Sequence, residues 1–483
     1  VFVLHCILPG IRAKNALLLL ASVLFYAYGE PVYIILLFIS TLLNYFCACG
    51  IDRFQNHRKG ILVLAVICNL GILTVFKYTD FILGMVNSVT GLHLPLPQIR
   101  MPIGISFFTF QAMSYVIDVY RETTKAQKNY AKVLLYISFF PQLIAGPIVK
   151  YHDVAAEIDQ RTVTLDGVAL GIRRFSAGLC KKVLLANTLG LVADNLFGAS
   201  AGSINGAGAW LGAISYMLQI YFDFSGYSDM AIGLGWMFGF HFKENFNYPY
   251  ISGTIREFWR RWHTTLGTWM KDYIFYPMSL SKAMNKFGKW GKKHFGNVGR
   301  TLPICFANLV IFFVVGIWHG ASWKYIAYGM YNGVIIAFSN LVEPLYNKAL
   351  DKLNIRNDSK PWKLWMILRT FILVNIGWYF DMGTSLRAAL TMIKQSVVSF
   401  SFSQFTDGSL LTLGLEARDY VIILVGCIVV FIISVLKEKG INIRESIASK
   451  NIVIRWTLYY VLILVIIMFG YTGGVQAFIY ANF

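Results

Sequence analysis

The stretch Thr301-Leu-Pro-Ile-Cys-Phe-Ala-Asn-Leu-Val-Ile-Phe-Phe-Val-Val-Gly-Ile-Trp-His-Gly-Ala-Ser-Trp323 decides the fold. It carries no Asp, Glu, Lys or Arg, and His319 is its one residue that titrates near neutral pH. A helix needs about 17–25 largely apolar residues to cross a bilayer. Ionisable side chains are costly there, so a histidine in this run is a functional candidate by default.

Comparable runs recur outward in both directions, near 15–29, 32–50, 61–77, 101–120, 175–198, 208–238, 323–341, 364–381, 419–436 and 454–475. Of the 483 residues, 57% are hydrophobic and 14% charged, whereas soluble domains run near about 25% charged. The expected fold is all-α: a multi-pass protein of the cell (plasma or inner) membrane with about 11 transmembrane helices. No charged linker or low-complexity tract separates folding units, so residues 1–483 read as a single integral-membrane domain. The chain starts at Val1 without Met or a complete signal peptide, and a truncated start is expected.

The net charge of +19 raises the question of nucleic acid. The basic residues are dispersed among hydrophobic spans with no nucleic-acid module around them, which excludes that partner. Cytoplasmic loops of membrane proteins are rich in Lys and Arg, and this accounts for the excess. On that rule loops 51–60, 121–132, 343–363 and 437–456 are cytoplasmic, while 86–99, 199–210 and 399–417 lie outside. The seven cysteines mostly sit in apolar segments, and Cys47-Ala-Cys49 lacks zinc-site spacing, so they read as packing residues and no metal is expected.

One run breaks the alternation. Lys132 and Lys150 flank 133–149 on the same expected side, and Pro141 and Gly146-Pro147 lie within it. Proline removes helical hydrogen bonds, so a re-entrant hairpin fits if its broken backbone is covered by protein or lines a cavity. A straight helix with an unusual loop is the alternative.

A second candidate histidine follows Asn245-Phe-Asn-Tyr-Pro-Tyr250 in Glu257-Phe-Trp-Arg-Arg-Trp-His263. Thr254 and Glu257 have the spacing of a capping box. Beyond them Phe258, Trp259, Trp262, Leu266, Trp269 and Tyr273 form one stripe at helical period, with Arg256, Arg260 and Lys271 opposite. An aromatic stripe opposite basic residues predicts a helix lying in the membrane interface. His263 then either acts chemically or rests at headgroup level. The arginines, Arg260 and Arg261 included, either attract anionic lipid or recognise phosphate on an acyl carrier. His319 likewise has two readings. A neutral imidazole takes a proton from a hydroxyl and returns it, or it hydrogen-bonds a neighbouring helix.

Tyr221-Phe-Asp-Phe-Ser-Gly-Tyr-Ser-Asp229 adds two acids to a hydrophobic span. Asp223 and Asp229 fall on different faces of a continuous helix, so they make no simple carboxylate dyad unless Gly226 breaks the helix. Pairing with Arg173 or Arg174 is the structural reading, and orienting a catalytic histidine is the functional one. There is no P-loop, dinucleotide fingerprint, His-Glu-x-x-His or serine elbow.

These blocks resemble the membrane-bound O-acyltransferase (MBOAT) family. Asn245 to Tyr250, Glu257 to His263, Asp272-Tyr-Ile-Phe-Tyr-Pro277, Phe140-Pro-Gln-Leu-Ile-Ala-Gly-Pro147 and Gly316 to Trp323 follow its bacterial pattern. Asn15-Ala-Leu-Leu-Leu-Leu-Ala-Ser-Val-Leu-Phe-Tyr-Ala-Tyr-Gly-Glu-Pro31 looks like its alginate O-acetyltransferase branch. The matching blocks lie within 10–340. The resemblance implies helices around a central funnel or tunnel, with His319 as principal catalytic histidine and His263 at the second motif position. Asn247, Trp259, Arg260, Arg261, Trp262, Trp318, Asp223 and Asp229 are the supporting or donor-binding candidates. It also implies a cytoplasmic thioester donor, acetyl-CoA or a phosphopantetheine carrier, with no bound cofactor. The acceptor would be an extracytoplasmic polysaccharide, and an extracytoplasmic acetyltransferase partner is plausible.

One region departs from the branch. Met278-Ser-Leu-Ser-Lys-Ala-Met-Asn-Lys-Phe-Gly-Lys-Trp-Gly-Lys-Lys293 replaces the expected Gly-Gly-Asn-Arg stretch. This basic insert resembles the D-alanyl transferase of teichoic acid synthesis, so Lys282, Lys286, Lys289, Lys292 and Lys293 would bind an acidic carrier protein or anionic lipid. A transporter or flippase using the same ionisable residues is the rival of another class. Transporters usually carry paired repeats with broken helices, and none is visible.

Overall fold

Apolar runs without period-two alternation become helices throughout the computed structural model, which describes residues 1–198, 204–441, 443–470 and 478–479. No strand occurs among the described residues. In chain order the main helices are α1 (Gly10–Gly29), α2 (Ile34–Arg53), α3 (Arg58–Leu73) and α4 (Thr79–Thr90), the last two joined by a π turn over Thr74–Tyr78. Next come α5 (Ile105–Tyr120), α6 (Tyr130–Ser138), α7 (Leu165–Cys180), α8 (Asn187–Gly198) and the long α9 (Gly206–Phe238). The short α10 (Ile255–Arg261) and α11 (Thr264–Met270) precede the basic α12 (Lys282–Gly299). Then follow α13 (Leu302–His319), α14 (Trp323–Lys352), α15 (Lys360–Met382), α16 (Leu386–Val398), α17 (Ala417–Glu438) and α18 (Ile452–Phe469).

Seven helical stretches among the described residues are long and apolar enough to cross a membrane: α1, α2, α3 through α4, α7 through α8, α13, α17 and α18. The remaining expected spans are helical but shorter or more polar. α5 has 16 residues and is buried along almost its whole length. α9 carries Asp223 and Asp229 and is largely buried, so its polar groups meet protein and not lipid.

Small residues set how closely the helices approach, as expected where lipid supplies no hydrophobic drive for association. A Cβ on Gly171 would lie 2.5 Å from the Gly233 carbonyl oxygen, and one on Gly178 would lie 2.5 Å from that of Gly226. These contacts bring α7 onto α9. α13 crosses α14 the same way, where a Cβ on Gly329 would lie 2.1 Å from the Phe312 carbonyl oxygen. That crossing sets Tyr325 and Tyr328 beside His319, with ring centroids 6.2 and 5.0 Å away.

No straight helix spans 133–149. α6 ends at Ser138, and an irregular, mostly buried stretch runs to Lys150. Its backbone is satisfied by protein: the Phe140 amide donates to Ser22 Oγ (3.1 Å), the Ile148 amide to Thr265 Oγ1 (3.0 Å), and Tyr136 Oη to the Val149 carbonyl (2.8 Å). Irregular backbone at membrane depth needs such cover.

The aromatic helix differs from expectation in two respects. It breaks at His263, a residue with φ 43° and ψ 54° between α10 and α11. Its stripe faces protein and not the interface, because Phe258, Trp262, Leu266 and Trp269 are all buried. The capping box is also half formed. Thr254 Oγ1 accepts from the Glu257 amide (3.1 Å), but Glu257 Oε2 accepts from the Gly253 amide (2.9 Å), because its other oxygen bonds Arg261.

Candidate functional site

The break at His263 is built by the segment that precedes it. The Asn247 amide donates to the Arg261 carbonyl and the Thr264 amide to the Asn245 carbonyl, both at 2.9 Å, so the loop holds the chain on either side of the turn. Non-glycine residues enter the left-handed region rarely, with His among those enriched there. Asn245, itself buried, then fixes the ring. Its Oδ1 accepts from the Thr265 hydroxyl (2.8 Å) and lies 2.9 Å from His263 Nδ1, and its Nδ2 donates to Ser228 Oγ (3.0 Å). The Thr265 amide also points at Oδ1, 3.4 Å away. An oxygen already receiving donors makes His263 Nδ1 the proton-bearing nitrogen, which leaves Nε2 as the acceptor. Outside the spanning helices, burial and then the neighbouring His319 push the His263 imidazole well below its ordinary value, so it is neutral near pH 7.

His319 ends α13 and is also buried. The π turn after α3 clamps the turn that carries it. Tyr78 Oη donates to the Ile317 carbonyl (2.8 Å), and Lys77 donates to that of Trp318. Such π turns are frequent at functional sites. On its other side His319 Nδ1 lies 3.3 Å from Asp381 Oδ1, near the end of α15. Trp318 bridges the two histidines, its ring centroid 5.8 Å from His263 and 5.1 Å from His319.

His263 and His319 line one cavity of about 530 Å³. Trp259, Trp262, Leu266, Ile311, Phe312, Val315 and Ile336 form its apolar wall. Arg256, Arg260, Lys271, Asn340, Glu343 and Thr301 are polar members of the lining. Thr301 precedes the first residue of α13 and His319 is its last, so at 1.5 Å per residue the cavity follows roughly 27 Å of that helix. An imidazole pair along such a cavity offers proton transfer. No group of three or more His, Cys, Asp or Glu among the described residues is arranged to hold a metal ion.

Of the supporting candidates, Trp259, Arg260 and Trp262 line the cavity, Trp259 with its Nε1 donating to Asn332 Oδ1 (3.1 Å). Trp318 packs between the histidines. Asn247 is exposed and Arg261 lies outside the cavity, bonding Glu257 (2.6 Å) and Glu438 (2.9 Å) and so tying α10 to α17. Asp223 and Asp229 do not orient either histidine. Asp229 pairs with Arg174 (2.8 Å) and Lys181 (2.7 Å), and Asp223 with Lys182 (2.5 Å), because the close packing of α7 and its π extension on α9 puts these cations against them. Sequence reasoning missed Asn245, whose motif was read through Asn247, and Asp381, an acid at the end of an expected span that the cost of membrane charge already marked.

Fold and cavity together define an integral membrane protein that encloses a pair of histidines. The profile of the membrane-bound O-acyltransferase family matches residues 104–291. The chain is 39% identical over 408 residues to a probable alginate O-acetylase of Pseudomonas aeruginosa, covering 83% of this chain and 72% of that protein. It is 34% identical to a peptidoglycan O-acetyltransferase of Helicobacter pylori over 80% of this chain and 75% of the relative. With a teichoic acid D-alanyltransferase of Bacillus subtilis it shares 31% identity over 60% and 71%. The chain belongs to the membrane-bound O-acyltransferase family and is a multi-pass membrane O-acyltransferase.

Proposed function

We propose that this enzyme moves an acetyl, or similarly small acyl, group from a cytoplasmic thioester to a hydroxyl, for O-acylation of an extracytoplasmic polysaccharide. The observation that carries this reading is the meeting of His263 and His319 in one cavity with an apolar wall and with Arg256, Arg260 and Lys271 in its lining. Basic loops assign the Thr301 end of α13 to the cytoplasm, where thioesters are made, and the His319 end to the far side. In this reading about eleven spans surround a central tunnel, and the membrane is the plasma or inner membrane.

The chemistry assigns each residue a task. His319 takes the proton of the accepting hydroxyl as its oxygen bonds to the thioester carbonyl carbon. The carbon–sulfur bond then breaks, and the imidazolium returns the proton to the leaving sulfur, giving an ester and a thiol. His263 faces the thioester and polarises or positions it. Trp259 and Trp262 hold the apolar arm of the donor, Arg260 meets its phosphate, and Trp318 fixes the distance between the rings. Arg261, Asp223 and Asp229 keep the surrounding helices in register, and the Asn247 backbone holds the His263 turn. An extracytoplasmic acetyltransferase partner completes transfer to the polymer.

A carrier-borne D-alanyl donor is the second reading. α12 carries Lys282, Lys286, Lys289, Lys292 and Lys293 without an acidic residue, and the chain is similar to teichoic acid D-alanyltransferases. Membrane vesicles containing the wild type or His319→Ala, given radiolabelled acetyl-CoA and alginate oligosaccharide, test the first reading. Label entering the oligosaccharide with the wild type alone supports acetyl transfer through His319. Label entering equally with both removes His319 from the mechanism. No transfer by either, with transfer restored by a charged carrier protein, selects the second reading.

A further inference from the structure

Asp381 differs from the two acids of α9. Its side chain is 0% exposed, yet no lysine or arginine side chain lies at ion-pair distance from its carboxylate among the described residues. Asp223 and Asp229 are both matched by cations. A buried carboxylate without such a partner is costly unless hydrogen bonds hold it. His319 Nδ1 lies 3.3 Å from Oδ1, within ion-pair distance, and one hydrogen bond reaches the carboxylate, from the Tyr216 hydroxyl to Oδ2 at 2.5 Å. That distance is typical of a hydroxyl bonded to a carboxylate. The backbone is fixed as well, because Lys324 Nζ donates to the carbonyls of Asp381 and Gly383, each at 2.9 Å.

We propose that Asp381, supported by Tyr216 and the Lys324 clamp, is the positioning residue of the reaction, holding His319 with Nδ1 protonated so that Nε2 serves as the base. The proposal rests on His319 as the base of the proposed transfer. It follows from the roles of an acid–imidazole pair: the carboxylate orients the ring, selects its tautomer and stabilises the imidazolium formed when the hydroxyl gives up its proton. Three helices distant in sequence supply the device: α9 the tyrosine, α13 the histidine and α15 the acid. His263 Nδ1 meets the neutral amide of Asn245.

The test uses the full chain in lipid vesicles, with acetyl-CoA and alginate oligosaccharide as probes, comparing Asp381→Asn, Asp381→Glu, Tyr216→Phe, His319→Gln and the Asp381→Asn/His319→Gln pair. Asp381→Asn is expected to lower kcat by roughly 10²- to 10⁴-fold, with KM for acetyl-CoA and the melting temperature unchanged. Asp381→Glu is expected to recover part of the rate, and Tyr216→Phe to cost about tenfold or less. In the His319→Gln background Asp381→Asn is expected to cost nothing more, since its effect runs through the histidine. Mass-spectrometric rates of diethylpyrocarbonate attack on His319, slowed in Asp381→Asn, give the comparison without an acceptor. Wild-type kcat and labelling in Asp381→Asn, beside an inactive His319→Gln, would overturn the positioning role alone. An equal loss in both backgrounds would make Asp381 merely structural. A fully active His319→Gln would remove the base and the proposal together.

Discussion

His263 sits on a turn between two short helices and rests against the amide of Asn245, whereas His319 ends a long apolar helix and faces the carboxylate of Asp381. Both rings are buried, both line the same cavity, and Trp318 touches each. A neutral amide fixes a tautomer but does little for a positive ring, while a carboxylate does both. In the proposed mechanism the pair divides the work: His319 carries the proton during the reaction, and His263 stays neutral and donates or accepts a hydrogen bond.

That contrast can be broken by experiment. His319→Ala is expected to have the largest effect, a fall in transfer of about 10³-fold or more with normal folding, read by initial rates and thermal melting. Retained activity would erase the distinction. His263→Ala is expected to cost less, about 10²-fold. An equal loss in both single variants and the double variant would show that they act as one unit. Asn245→Ala should destabilise by roughly 1–3 kcal/mol, because it strands the Nδ1 proton of a buried ring and the Thr265 hydroxyl. Denaturation of the detergent-solubilised protein reads this, and an unchanged midpoint would mean that the turn holds without the amide. Arg261→Ala, which removes half-exposed pairs remote from the cavity, should cost under about 1 kcal/mol and leave kcat unaltered; a large kcat loss would move Arg261 into the site.

The same two histidines show what was legible in the chain. His319 stood out because it lies in an uncharged run, and the helix Leu302–His319 falls within that run. His263 was visible too, but its geometry was not. The stripe Phe258, Trp262, Leu266 and Trp269 keeps helical period across the break, since one left-handed residue between two short helices leaves all four on the buried side. Nothing in a local pattern reports that turn. It depends on backbone bonds from 245–247, and on Ile148 reaching Thr265 from the irregular stretch after α6.

The acids teach a related lesson. Asp223 and Asp229 drew notice through their dense motif, yet the glycine-lined crossing of α7 and α9 gives them to lysine and arginine. Asp381 drew none, because it follows Trp378-Tyr-Phe380 at the edge of an apolar segment and its partners lie on α9 and α13. Which membrane acid meets which base is decided by helix packing, and only the expense of burying the charge is readable beforehand.

The most direct measurement is a cryo-electron microscopy structure of the wild type in lipid nanodiscs with a non-hydrolysable thioether analogue of acetyl-CoA. The account predicts the analogue's arm along Trp259 and Phe312, its sulfur between His263 and His319, and its phosphates toward Arg256 and Arg260. Density for the analogue elsewhere, with this cavity empty, would contradict it.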